Sequence, residues 1–164
     1  MFNIFKVNGE KNIIALIISI LLTQGVGFLS GFLSMTASSD YKNFNKPPFS
    51  PPGLVFPVVW TILFFLMGVA AYRTWMKGKA GEDVSKALIL YCSQLFLNFL
   101  WSIVFFRFRL YAIAFLELLL LLVFILLTTF EFYRIDKPSA YLMIPYIAWV
   151  SFAGVLNYAI WMMN

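Results

Sequence analysis

Residues 110–130 read LYAIAFLELLLLLVFILLTTF, twenty-one positions broken by one charge, Glu117. An α-helix rises about 1.5 Å per residue, so about 20 apolar residues cross a hydrocarbon core of roughly 30 Å. A helix apolar on every side is buried in protein or in lipid. Working outward, the same gap recurs four more times: 28 uncharged residues between Lys11 and Asp40, 26 between Lys46 and Arg73, 20 between Lys86 and Arg107, and 27 after Lys137. The expectation is an all-α membrane protein, a five-transmembrane-helix bundle, with spans near 12–34, 54–76, 87–106, 110–133 and 139–161, a Pro-rich loop at 35–53, and a single domain over 1–164.

Composition agrees. The chain is 62% apolar and 12% charged with a mean hydropathy of +0.88, against roughly 45–50% and about 25% in soluble domains. The first apolar run ends in Ser34-Met35-Thr36-Ala37-Ser38, as a secretory signal would, but is too long for a signal's apolar core and reads as a span. One cysteine, Cys92, and no histidine exclude a disulfide framework, a CxxC redox pair, an ordinary zinc site and a histidine-ligated haem. No resident cofactor or metal is expected. The net charge of +5 is strung along helix ends rather than gathered in a patch, so nucleic acid is not an expected partner and the lipid bilayer is.

The basic residues orient the chain. Lys6, Lys11, Arg73, Lys77, Lys79, Lys86, Arg134 and Lys137 share one face, while Lys42, Lys46, Arg107 and Arg109 share the other. The positive-inside rule then puts the N-terminus in the cytoplasm and the C-terminus outside, in what reads as a bacterial cell membrane. The loop at 35–53 falls on the outer face. It contains Lys46-Pro47-Pro48-Phe49-Ser50-Pro51-Pro52-Gly53, four of the seven prolines in eight residues. Proline fixes φ and biases its predecessor toward extended backbone, so this is a stiff strap. It serves equally as a rigid connector into the second helix or as a lid.

Polar and aromatic residues inside the spans fall on helical faces. Gln94, Asn98, Trp101 and Phe105 are spaced 4, 3 and 4 apart; Tyr146, Trp149, Ala153 and Leu156 make a second stripe with Asn157 beside it; Trp60, Phe64, Met67 and Ala71 make a third. By helical rise, Trp60 and Trp101 lie about 7 Å below the outer boundary, Asn98 and Ala153 about 12 Å, and Gln94 and Trp149 about 18 Å. Such a cluster beneath the strap has two readings. It is an apolar cavity with a few placed polar groups, as a small-molecule site requires, or the amides are interhelical hydrogen-bond glue. Glu117, about 10 Å in, is a functional candidate or a carboxyl paired within the bundle. Gly27 and Gly31 form a GxxxG, expected to admit a close neighbour within the bundle more than between subunits.

Taken together, these motifs resemble a known family. Lys46-Pro47-Pro48-Phe49-Ser50-Pro51-Pro52, then Phe56-Pro57-Val58-Val59-Trp60-Thr61 and Met67-Gly68, are similar to the signature of the TspO/MBR family of translocator and tryptophan-rich sensory proteins. So are Gln94-Leu95-Phe96-Leu97-Asn98 with Trp101 and Phe105-Phe106, and Pro145-Tyr146-Ile147-Ala148-Trp149 with Phe152-Ala153 and Leu156-Asn157. The likeness covers about residues 13–161 in family order. It implies a five-helix bundle, often a homodimer, with a pocket under the first loop for porphyrins such as protoporphyrin IX and other hydrophobic small molecules. The family's pocket tryptophans map to Trp60, Trp101 and Trp149, its pocket asparagine to Asn98 and its ligand-sensitive small residue to Ala153. A strap position often tryptophan in relatives is Phe49 here, which keeps a stacking surface without the indole donor. The expected ligand set is Lys46, Pro47, Phe49, Trp60, Phe64, Gln94, Asn98, Trp101, Tyr146, Trp149, Ala153 and Asn157.

Three functions fit these residues. A binding or sensory protein for tetrapyrrole or stress responses needs only pocket and strap. A transporter of tetrapyrroles or sterols would want broken helices and an internal repeat, neither of which is evident. A porphyrin-degrading photo-oxidative enzyme would draw electrons from Trp60 and Trp149, the only catalytic candidates; no acid–base or nucleophilic constellation supports conventional catalysis.

Overall fold

The computed structural model describes residues 4–34 and 45–164; loop positions 35–44, Lys42 among them, lie outside the described residues. Five helices are long and apolar enough to cross a membrane: α1 Ile13–Leu33, α2 Val55–Lys79, α3 Ser85–Ser102 with a π-helical turn Ile103–Arg107, α4 Tyr111–Ile135, and α5 Lys137–Met163. The chain is a multi-pass integral membrane protein. Among the described residues the only β pairing is an isolated bridge between Val7 and Glu10.

The helices extend beyond their expected limits mainly at the N-terminal face, where α2 continues to Lys79 and α4 to Ile135. Lys77, Lys79 and Arg134 fall in those last turns. Cations there meet the negative end of the helix dipole, and their long stems reach from the apolar region to water. At the opposite end α3 changes register: the Phe108 amide donates to the Ile103 carbonyl at 3.1 Å, one residue further back than in an α-helix. Arg109 follows at φ 54°, left-handed backbone that a non-glycine residue adopts at a cost, and turns the chain into α4.

The main core lies among α2, α3, α4 and α5, with Met67, Ile125, Met143 and Tyr146 sealed from the surface. Helix α1 is peripheral, and the residues it buries are Leu16, Thr23 and Ser30. It docks by backbone approach and small polar contacts: Ser19 Oγ donates to the Gly68 carbonyl at 2.7 Å, Thr23 pairs with the Tyr91 hydroxyl at 2.8 Å, and Ser30 donates to the Phe99 carbonyl at 3.1 Å. Lipid is as apolar as leucine, so close packing and interhelical hydrogen bonds, rather than exclusion of water, hold helices together here. Gly68 is indispensable to that approach, because a Cβ on it would stand 2.8 Å from the Ile20 Cα.

A polar knot closes the N-terminal end. Arg73 of α2 donates to both carboxylate oxygens of Asp136, at 2.7 and 3.0 Å, with both side chains 5% exposed. Asp136 also caps α5, accepting from the Ser139 amide at 3.1 Å and hydroxyl at 2.7 Å. Burial alone would raise the Asp136 carboxyl; the Arg73 guanidinium and the Ser139 hydroxyl and amide outweigh it and hold the group below the ordinary aspartate value. The N-terminal segment is tied to the same knot, Arg73 donating to the carbonyls of Ile4 and Lys6 at 2.6 and 3.0 Å.

Candidate ligand-binding site

The three stripes meet where α2, α3 and α5 converge. Trp60 of α2 stacks on Phe64 at 5.5 Å between centroids and meets Trp101 of α3 at 6.5 Å and Tyr146 of α5 at 6.1 Å. Trp101 in turn stacks on Phe105 at 5.4 Å. The π-helical turn begins two residues after Trp101, which puts Phe105 and Phe106 side by side at 4.8 Å. Trp149 lies at the rim, half-buried, against Phe56 at 5.8 Å and Phe152 at 5.5 Å.

Around these rings the amides behave in two ways. Trp101 Nε1 donates to Asn157 Oδ1 at 3.2 Å, and Asn157 Nδ2 donates to the Tyr111 carbonyl at 2.9 Å, fastening α3, α5 and the start of α4. These residues are interhelical glue, the commoner of the two readings that the sequence left open. Asn98 Nδ2 donates to the Tyr146 hydroxyl at 2.8 Å, and that hydroxyl donates to Gln94 Oε1 at 2.9 Å. The chain of donors stops there. Gln94 is fully buried and its Nε2 has no partner among the described residues, and the Trp149 indole Nε1 is likewise buried without one there. A buried donor left unpaired costs about 1–3 kcal/mol, so two of them beside one aromatic cluster are a standing demand for an acceptor. Ala153, buried one turn above Trp149, keeps that side of α5 small.

The strap reaches this cluster. Asn45 and Asn164 exchange hydrogen bonds, with the Asn45 amide donating to Asn164 Oδ1 at 3.2 Å and Asn164 Nδ2 to the Asn45 carbonyl at 3.0 Å, so the strap starts at the far end of α5. The Ser50 amide closes a turn onto the Pro47 carbonyl at 3.0 Å. Phe49 then lies edge-on to Phe152 at 6.4 Å, a residue about 18 Å below Asn164 by helical rise. The strap therefore descends along α5 toward the rim tryptophan. Pro47 is buried, Lys46 half-buried and Phe49 half exposed.

Of the expected residues, Trp60, Phe64, Gln94, Asn98, Trp101 and Tyr146 form one connected group; Trp149, Ala153 and Phe49 border it, Asn157 serves as its outer fastening, and Lys46 and Pro47 stand in the strap above. Phe56 and Phe152 belong to the rim and were not in the expected set. Their signal was available, since Phe56 precedes Trp60 by four residues and Phe152 follows Trp149 by three, both same-face spacings. Of the two readings of Glu117, a functional candidate or a carboxyl paired within the bundle, the second finds no partner among the described residues, where both carboxyl oxygens are buried without a hydrogen bond. The GxxxG acts within the bundle through one glycine, since a Cβ on Gly27 would collide with the Phe64 ring while Gly31 has no such neighbour within 4 Å among the described residues.

Among known proteins, the model of the TspO/MBR family matches residues 19–162. The tryptophan-rich protein TspO of Chlorobaculum tepidum is 39% identical over 156 residues, 94% of this chain and 99% of the relative. That of Archaeoglobus fulgidus is 36% identical over 154 residues, 93% and 99%. The translocator protein of Bos taurus is 35% identical over 125 residues, 76% and 74% of the two chains.

Proposed function

Because the chain belongs to the TspO/MBR family, we propose that it is an integral membrane binding or sensory protein whose aromatic cluster takes protoporphyrin IX or another flat hydrophobic molecule carrying a hydrogen-bond acceptor. The observation that carries this reading is the pair of buried donors with no partner among the described residues, Gln94 Nε2 on the amide that accepts from Tyr146 and Trp149 Nε1 at the Phe56 and Phe152 rim. A structural cluster has its donors matched, as Trp101 and Asn157 do. The ligand ring stacks on Trp60 and Trp149, its acceptor meets the spare donors, and Phe49 covers the rim from the strap. A propionate lies within reach of the Lys46 side of the strap. By the eight-to-four division of basic residues, the strap and C-terminus face outward and the N-terminus the cytoplasm of a bacterial cell. A homodimer is compatible with this site, which is formed within one chain.

Tryptophan-fluorescence titration of the purified protein with protoporphyrin IX, in light and in darkness and followed by chromatography of the pigment, tests the reading. Saturable quenching with the pigment recovered intact is expected; no quenching would overturn it. Pigment loss in light only, abolished by Trp60→Phe/Trp149→Phe with binding retained, would favour the photo-oxidative alternative, which the half-buried position of both indoles allows.

A further inference from the structure

A concavity lies at the opposite end of the bundle from the aromatic cluster, where nothing in the proposed binding function requires one. It is a cleft of about 610 Å³ between the N-terminal segment, the first turn of α1 and the last turn of α2. Its polar wall carries Lys11, Lys79 and Glu10, and its apolar wall Ile13, Ile14 and Met76. Neither lysine is ion-paired with a described residue; Lys79 Nζ stands 5.1 Å over the Trp75 ring and Lys11 Nζ 5.9 Å over Phe5. Among the described residues Glu10 is the one acid in the lining.

The cleft is built rather than incidental. Residues 4–12 turn back on themselves through the Val7–Glu10 bridge, with Asn8 and Gly9 at φ 52° and 84°. Val7 is buried against Leu16, Val69, Tyr72 and Met76. The turn is fixed by the Arg73 bonds to Ile4 and Lys6, by the Tyr72 hydroxyl, which donates to the Phe5 carbonyl at 3.2 Å and accepts from the Asn12 amide at 3.0 Å, and by Lys77 Nζ donating to Asn8 Oδ1 at 2.9 Å. A segment so tethered keeps its shape without an occupant.

We infer that this cleft binds the headgroup of an anionic phospholipid from the leaflet at the N-terminal face, with the phosphate between Lys11 and Lys79 and an acyl chain along Ile13 and Ile14. Three observations select a lipid. The cleft straddles the level at which two spans end, so its polar wall is at headgroup depth and its apolar wall continues into the hydrocarbon. Ile13 and Ile14 are 55% and 72% exposed, a surface that a soluble phosphate ester would leave uncovered. Basic recesses between spans at a membrane face suit anionic headgroups, while a zwitterionic headgroup presents its own cation to the same lysines.

Each lysine near such a surface is expected to contribute about five-fold in affinity. Native mass spectrometry of the detergent-purified full chain, titrated with phosphatidylglycerol or phosphatidylcholine, is the test. Phosphatidylglycerol is expected to be retained preferentially. Lys11→Gln/Lys79→Gln should lower its affinity about 25-fold, Glu10→Gln should raise it about five-fold by removing the one opposing charge, and Lys86→Gln, in the Glu131 ion pair outside the cleft, should leave it within about two-fold of the parent, since that charge faces a different surface. Equal retention of the two lipids, or an unchanged affinity in both cleft variants, would overturn the assignment. Displacement of the lipid by excess free glycerol phosphate would overturn the lipid in favour of a soluble phosphate ester; persistence of the lipid supports it.

Discussion

At the N-terminal end of the bundle Arg73 and Asp136 are 5% exposed and bound to each other, Asp136 also to Ser139, whereas in the tryptophan-lined half Gln94 and Trp149 bury donors that bond to no described residue. Both regions take polar atoms out of water at the same kind of cost. In the first that cost is offset inside the chain, so the region holds three elements in place and gains nothing from a visitor. In the second it is left open, so an incoming acceptor stabilises the protein as it binds. Satisfied and unsatisfied burial thus separate the structural end from the receptive one.

The strongest way to break this contrast is to break the knot. Arg73→Met leaves the Asp136 carboxylate buried without its cation, and a loss of about 3–5 kcal/mol is expected, read as a large fall in melting temperature by thermal unfolding in detergent. Arg73→Met/Asp136→Leu should recover part of it, because replacing both partners removes the uncompensated charge. The same knot sets a pH dependence. The folded Asp136 carboxyl is held below the ordinary value of 3.8, so its contribution is complete above that value and lost as pH falls through the lower folded value. Melting temperature should accordingly drop more steeply in acid for the parent than for the double variant.

A smaller change tests how far the two regions are mechanically separate. Gly27→Ala drives a methyl into the Phe64 ring, which stacks on Trp60; about 1–3 kcal/mol of strain is expected, together with altered porphyrin quenching. Gly31→Ala, with no atom of the described residues within 4 Å of the added methyl, should change neither.

Within the receptive half, Trp149→Phe should weaken protoporphyrin binding several-fold, since an aromatic contact is worth about 0.5–1.5 kcal/mol beyond its area. Melting temperature should not fall and is expected to rise slightly, because the lost indole N–H made no hydrogen bond with a described residue and its unpaired burial is relieved. Trp75→Phe, at the other end of α2 and 38% exposed, should leave binding unchanged. Equal effects of the two substitutions would remove the case for a site in the tryptophan-lined half. The last change removes a buried acid, Glu117. With both oxygens buried and unpartnered among the described residues, Glu117→Leu should stabilise by about 1 kcal/mol; a clear loss would show that the carboxyl has a partner in the membrane.

The five spans were legible because length and apolarity are properties of the chain alone. A gap of 20 or more uncharged residues has one low-energy place to go, and a helix is the shape that pairs its backbone there. The stripes were legible for the same reason, since spacings of three and four fix a face before any neighbour is known, and Phe64, Gln94, Asn98, Trp101 and Tyr146 are all buried as those spacings require. What one dimension does not hold is the partner. Arg73 and Asp136 are 63 residues apart and read separately as charges at helix ends. The π-helical turn at Ile103–Arg107 follows from how α3 must hand over to α4, with no proline or glycine in it to announce it. Gln94 and Asn157 look alike in sequence, both amides on a buried stripe. Only the tertiary structure decided that Asn157 is matched on both sides while Gln94 keeps a spare donor, because satisfying a hydrogen bond requires an acceptor within about 3 Å in the right direction, and which groups come that close is set by the packing of four helices rather than by the order of residues in any one.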